Sequence, residues 1–471
     1  MRGGEAKFPS MPIRYGFPML FMGVILFIFE VYMLKFSTDA LLLSPAAMGT
    51  IMSISRLWDA ASDPLVGFLS DATRAPFGRR RSWMLGSALP IWGAILAVFS
   101  PPQLDKDYLA LWMLPAVIAY YTATTAFTVP HLGFGSELTQ EVGYHQRSVV
   151  FGWRNGLSGL GNILGVGALF AMMAQEPAGP QAVRAAAASV ALVAGGLVAA
   201  AIAAMVFSIS ENVDCHANAP RTDIYINPVR IVLTVCRHAL VRQMTLLWGL
   251  AEGSRAVFGT IAPYALQYTL GLPAPLVPLI ILMYVLANTA TLPLWLAASK
   301  RYGKVDTWRA ALLCNALCFV PLMFALHPGF IALPLNMVRL PFAVGFASFV
   351  GGCAGATTTL ANSLMGDVID ADAASGGEAH HGLFFAWWAF VSKSVGGAIT
   401  VLTGVTLEVA GFVPNVEQSL ASRTTIGLLL TVLPLVGLST AAACMNGFEL
   451  SEAYTREVQA ALAAKLAGEL L

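Results

Sequence analysis

The sequence predicts an all-α membrane protein of twelve transmembrane helices in two six-helix halves. Three observations carry that expectation. Of 471 residues, 57% are hydrophobic and 11% charged, with a mean hydropathy of +0.70, and so few charges cannot coat a soluble domain of this size. Apolar runs of about 20 residues, the length that crosses a bilayer, recur along the whole chain. A short pattern also repeats: Gly78-Arg79 followed by Trp83, and Gly303-Lys304 followed by Trp308, with identical internal spacing.

The apolar runs lie near 17–37, 47–70, 83–100, 109–132, 149–173 and 184–208, then near 243–269, 274–298, 309–326, 330–365, 382–412 and 422–445. No small-residue cleavage site follows the first, which reads as a retained helix. Residues 1–210 therefore form an N-terminal six-helix bundle, 211–242 a polar cytoplasmic linker and 243–447 a C-terminal six-helix bundle. Residues 448–471 read as a cytoplasmic amphipathic tail. One set of connections carries Arg74, Arg79, Arg80, Arg81, Arg147, Arg221, Arg230, Arg237, Arg242, Lys300, Arg301, Lys304 and Arg309. The opposite set carries Lys35, Lys106, Arg184 and Arg423. The basic side is cytoplasmic, which places the chain in the plasma (inner) membrane with both termini inside. Two parallel halves echoing one another describe the major facilitator architecture, with its solute site near mid-membrane between them.

With 27 basic and 26 acidic residues the net charge is +1, and nothing in that balance suits nucleic acid. The partners expected are a small solute and the lipid bilayer, and the chain reads as a monomer. Cys314 and Cys318 sit one helical turn apart without a nearby His or carboxylate, so neither a zinc site nor a disulfide is expected. No nucleophile with its base appears at membrane depth, which argues against an enzyme. The glycines at 156, 159, 161 and 165 suit the fifth helix to close packing.

The strongest chemical signal is Arg56-Leu-Trp-Asp59-Ala-Ala-Ser-Asp63-Pro64 in the second run. Four-residue spacing puts Asp59 and Asp63 on one helix face, with Arg56 three residues before the first. A charge at the centre of a membrane helix costs about 2.5–3.5 kcal/mol on insertion scales. Two adjacent carboxylates also repel unless something positive lies between them. A sodium ion, a proton or a lysine meets that need. Lys393, the only charged residue between Phe384 and Leu402, is the natural counter-charge, with Arg56 a second. Glu30 lies toward the outer end of the first helix, either as a functional group or snorkelling to the interface. Glu252 and Arg255, three apart, are expected to satisfy each other. Tyr264, Gln267 and Tyr268 are placed in an outer vestibule, and Trp387 and Trp388 beside Lys393 face the cavity or pack.

The stretch from Arg56 to Pro64, continuing through Gly67, Asp71, Thr73, Arg74 and Gly78-Arg79-Arg80-Arg81-Ser-Trp83, resembles the signature of the melibiose permease-like family of glycoside-pentoside-hexuronide:cation symporters. The likeness recurs in Pro130 through Glu137-Leu-Thr139, in Arg147 to Arg154, and in Gly366-Asp367-Val-Ile-Asp370 followed by Lys393-Ser-Val-Gly396. It implies a cation site at Asp59 and Asp63, with Thr128 offering a hydroxyl, and coupling through Lys393 and Arg56. It places Arg154 in the solute pocket or gate, beside the candidate solute residues Glu30, Tyr264, Trp387 and Trp388. It assigns Asp71, Arg74, Arg79, Arg80 and Arg81 to a cytoplasmic gate that braces the two halves in the outward-facing state. Where sugar-carrying members grip the sugar with carboxylates on the first and fourth helices, this chain has approximately Gly23 and Thr128. The implied activity is Na+ or H+ symport of a glycoside-type solute, with no cofactor beyond that ion. A lysophospholipid or other amphiphile carried on the same cation site is the alternative, and a non-transporting sensor or scaffold a remote one.

Overall fold

The structure is a computed structural model that describes residues 11–138, 144–210, 239–374 and 381–445, with 448 and 457–458. The described residues are helical, without a strand. Thirteen α-helices follow in order: α1 Met11–Asp39, α2 Pro45–Ala72, α3 Arg79–Phe99, α4 Lys106–Glu137, α5 Tyr144–Met173, α6 Pro180–Ser208, α7 Ala239–Tyr264, α8 Val277–Ala290, α9 Leu292–Tyr302, α10 Lys304–Cys318, α11 Leu340–Ala374, α12 His381–Val409 and α13 Leu420–Cys444. Most of the linker expected at 211–242 and of the tail expected at 448–471 lies outside the described residues.

Ten of the described helical segments are long and apolar enough to cross a membrane. The two long helices outside that set are α2 and α7, and their composition explains it. The first carries Arg56, Asp59, Asp63 and Asp71; the second carries Arg242, Glu252 and Arg255. Both helices bring charge into the interior of the bundle.

Three expected spans are built differently from a plain helix. The run at 274–298 is broken at Thr291 into α8 and α9, because Pro293 in the first turn of α9 supplies no N–H to continue the ladder. The run at 309–326 is α10 followed by a 3-10 segment, Val320–Leu326, that begins beside Pro321. The run at 330–365 starts late, through a π-helical turn at Leu335–Arg339, and α11 then extends to Ala374.

The repeated pattern has a shared backbone form. Gly78 (φ 99°, ψ 154°) caps α3 and Gly303 (φ 86°, ψ 157°) caps α10, a region that favours glycine. The basic residue after each reaches an acidic group on a neighbouring helix: Arg79 bonds Glu137, and Lys304 bonds Asp367 at 2.7 Å.

Small residues let the helices touch. α1 packs on α5, and α2 on α12. A Cβ on Gly161 of α5 would collide with the Leu20 carbonyl oxygen, and one on Gly23 of α1 would stand 2.5 Å from that of Ser158. On the other seam, a Cβ on Gly404 would collide with the Pro45 oxygen. Such backbone-to-backbone contact is the packing that membrane helices use in place of a hydrophobic drive. Gly161→Val is therefore expected to cost about 1–3 kcal/mol through overpacking, lowering the thermal midpoint of the purified protein. Gly159→Ala, where a Cβ meets nothing within 4 Å, leaves it unchanged. Equal midpoints for the two variants contradict the seam.

Candidate cation site and central cavity

The four-residue rise between Asp59 and Asp63 sets their carboxylates one above the other on α2. Two other helices complete the cluster. From α12, the Lys393 Nζ lies 2.8 Å from Asp59 Oδ2 and 2.5 Å from Asp63 Oδ2. From α4, the Thr125 hydroxyl lies 2.8 Å from Asp59 Oδ1 and 3.0 Å from Asp63 Oδ1. One ammonium and one hydroxyl thus bridge the same two carboxylates from opposite sides. Side-chain exposure rises from 10% at Asp59 to 20% at Lys393 and 30% at Asp63, so the cluster opens toward the Ala72 end of α2.

The hydroxyl that reaches the carboxylates is not the one expected. Thr128 lies one turn further along α4, half-buried, and makes no hydrogen bond to either aspartate. Arg56 also departs from expectation: among the described residues no ion pair joins it to Asp59 or Asp63. Its guanidinium lies over the Tyr121 ring, 5.8 Å from the centroid. A helical side chain leans toward its own N-terminus, so the long arm of Arg56 carries its charge away from Asp59, which lies one turn nearer the C-terminus.

A second charged cluster lies between α1 and α7. Arg255 holds Glu252 through two hydrogen bonds of 2.9 and 2.7 Å and also bonds Glu30 of α1. The expected Glu252–Arg255 pair is present, but Glu30 joins it instead of snorkelling outward. The side chains of Arg255 and Glu30 are 37% and 39% exposed although both lie well inside long helices, so they border an open central space. The two clusters together hold four acids (Glu30, Glu252, Asp59, Asp63) and three bases (Arg56, Arg255, Lys393), an excess of one negative charge.

At the Asp39 end of α1 the helices close. Lys35, fully buried, bonds Asp39 and lies 3.1 Å from Glu176 Oε1. Gln267 donates to Glu176 Oε2 at 2.9 Å, Tyr268 donates to Asp39 at 2.8 Å, and Asn415 donates to the Asp39 carbonyl at 2.7 Å. Tyr264 meets the Thr38 hydroxyl at 2.8 Å and is fully buried. Tyr264 is thus part of a seal, not the wall of an open vestibule. Lys35, expected among the loop charges, is an interior ion-pair residue. Glu176 is the acceptor shared by Lys35 and Gln267, and its neutralisation removes a charge-assisted contact worth about 1.5–3 kcal/mol. In Glu176→Gln, a cysteine at position 38 on a background without other cysteines is expected to react several-fold faster with a maleimide added from the sealed side. An unchanged rate contradicts the seal.

The remaining candidates are distributed as follows. Trp388 is buried and stacks on Trp248, with centroids 4.4 Å apart, so it packs. Trp387 is half-buried and donates to Thr245 at 3.1 Å. Arg154 is half-buried and bonds its neighbour Asn155 at 3.1 Å, while its Nε has no partner. At the end of the bundle opposite the seal, Arg80 lies 2.9 Å from Asp71 and 2.6 Å from Glu137. Arg81 Nε donates to the Val206 carbonyl at 3.0 Å, and Arg74 is exposed. These pairs join α2, α3, α4 and α6 to one another.

A bundle of membrane-length helices with a charged, partly open centre is the architecture of an integral membrane protein. The family described as MFS/sugar transport protein matches residues 14–452, and the chain belongs to it. An uncharacterized symporter of Synechocystis, sll1374, is 31% identical over 156 residues, 32% of this chain and 28% of that protein. The chain therefore spans little more than a quarter of that relative's length. The putative glycoside/cation symporter YagG of Escherichia coli is 25% identical over 85% of this chain and 83% of its own. The sodium-dependent lysophosphatidylcholine symporter 1-A of Danio rerio is 22% identical over 85% of this chain and 78% of its own. The solved nucleoside transporter NupG superposes with a TM-score of 0.62 over 93% of this chain and 97% of its own, at 11% identity, and so shares the fold.

Proposed function

We propose that this chain is a secondary active symporter that couples the movement of a small solute to Na+ or H+ by alternating access. The observation that carries the reading is the Lys393 ammonium held between Asp59 and Asp63. A positive charge already occupies the place a coupling cation needs, so cation entry and the Lys393 contact are mutually exclusive. Thr125 supplies a third oxygen beside the carboxylates. The excess of one negative charge in the central clusters is the charge that a single monovalent cation balances. Two relatives, one a sodium-dependent lysophosphatidylcholine symporter and one a putative glycoside/cation symporter, support cation coupling.

In this reading α2 and α7 are spans as well, which makes twelve. Residues 1–210 and 243–447 are the two halves, joined by 211–242, with both termini and the 448–471 tail in the cytoplasm. The seal around Asp39 is then extracellular, and the structure is closed outside with its carboxylates open toward the cytoplasm. Rocking of the halves about the centre exchanges that arrangement for its opposite. Transport accounts for the site without any enzymatic step.

By family the solute is of glycoside type. One observation favours the amphiphile reading. At Gly23, approximately where sugar-carrying members place a gripping carboxylate, a Cβ would run into the Ser158 backbone of α5, so no carboxylate side chain fits at that position. The experiment is counterflow in vesicles reconstituted with the full chain, loaded with glycosides or with lysophospholipids, with and without Na+. Cation-stimulated exchange of one class supports the reading. Failure of both classes to move under any cation gradient overturns it.

A further inference from the structure

Arg56 is set apart from the other charges of the central clusters. It has no ion pair among the described residues, and its Nε is buried without a hydrogen-bond partner. The side chain as a whole is half-buried, and one terminal nitrogen lies 3.9 Å from where a Cβ on Gly396 of α12 would stand. Two hydroxyls flank it. Tyr121, only 8% exposed, presents its ring to the guanidinium, and Tyr120 stacks on Phe29 at 4.0 Å. Both hydroxyls are buried without a hydrogen-bond partner. Glu30, the nearest acid on a facing helix, is already engaged by Arg255.

An arginine keeps its charge in any protein environment, and one without an ion pair at membrane depth marks a functional position. Its terminal nitrogens and the two tyrosine hydroxyls can all donate, and together they suit an acceptor carrying several oxygens and a negative charge. We propose that Arg56, with Tyr121 and Tyr120, is a solute subsite that binds an oxyanion, a carboxylate or a phosphate, of the transported molecule. A neutral glycoside does not meet this demand. A uronate and a lysophospholipid do, by the same chemistry on different frames. The subsite uses none of the side chains of the Asp59–Asp63–Lys393 cluster. The inference rests on the symport reading above and names the solute class within it.

The test is ligand-induced thermal stabilisation of the full-length protein in Na+, with two matched pairs of probes: glucuronate against methyl glucoside, and lysophosphatidylcholine against monoacylglycerol. The expected result is stabilisation by the oxyanion-bearing member of one pair and not by its partner without an oxyanion; which pair responds identifies the frame. Arg56→Gln is expected to weaken that response about tenfold or more, and Tyr121→Phe by a smaller factor, from the loss of hydrogen bonds to a charged group. Arg56→Lys, which keeps the charge and loses the fork, is expected to fall between wild type and Arg56→Gln and guards against misfolding as the cause. A probe without an oxyanion that binds as well as its partner, an unchanged response in Arg56→Gln, or no response to either oxyanion-bearing probe overturns the subsite. Na+ dependence of any of these responses, lost in Asp63→Asn, keeps the symport reading intact even when the subsite fails.

Discussion

Asp63→Asn is expected to abolish uphill accumulation of solute while leaving downhill exchange in place. The substitution removes one of the two negative charges that Lys393 bridges, so the ammonium neutralises the remaining carboxylate by itself and the driving force for cation entry falls. Asp63 is 30% exposed, and solvent screens part of the loss. The expected change is a fall in cation affinity of about tenfold or more, equivalent to about 1.4 kcal/mol per factor of ten. Counterflow, which needs no net cation movement, separates coupling from transport. If Asp63→Asn still concentrates solute with an unchanged dependence on Na+ and pH, Asp63 is not a coupling residue.

Lys393→Ala is expected to fail in the opposite sense. Without the ammonium, Asp59 and Asp63 face each other across the Thr125 hydroxyl with nothing positive between them, and like charges at that distance raise the affinity for a proton or a cation. The carrier then holds its cation in both orientations and cannot return empty. Coupled uptake is lost by at least about tenfold, while the cation dependence of thermal stability moves to lower concentration. Weaker cation binding in Lys393→Ala contradicts the account, because it means that the lysine supports the cation instead of competing with it.

The sites differ in how legible they are in the sequence. Asp59, Asp63 and Lys393 stand out because charge is expensive in a membrane helix, and a four-residue spacing requires the carboxylates to share one face. Thr125 carries no such signal. A threonine in an apolar helix is ordinary, and the motif match through Val129-Pro130 points one turn away, to Thr128. Spacing alone sets Arg56 against Asp59, whereas the length and lean of an arginine decide where its charge ends up. The seal is hidden because Lys35, Asp39 and Glu176 lie near the ends of apolar runs, where charges usually meet water. Their burial depends on contacts with Tyr264, Gln267, Tyr268 and Asn415, hundreds of positions away in some cases. The break at Thr291 and the late start of α11 follow local proline and π-turn geometry that a search for apolar runs does not register.

In the proposed symport mechanism the coupling cation and Lys393 compete for the same two carboxylates. Equilibrium binding of radioactive sodium to the purified full chain, with protons as competitor, tests it most directly in wild type, Asp63→Asn and Lys393→Ala. The account predicts affinities that move in opposite directions: weaker in Asp63→Asn, tighter in Lys393→Ala. If protons are the coupling ion, the same opposition appears in the pH at which protons displace sodium or stabilise the fold. Shifts in the same direction for both variants, or no shift in either, contradict the account.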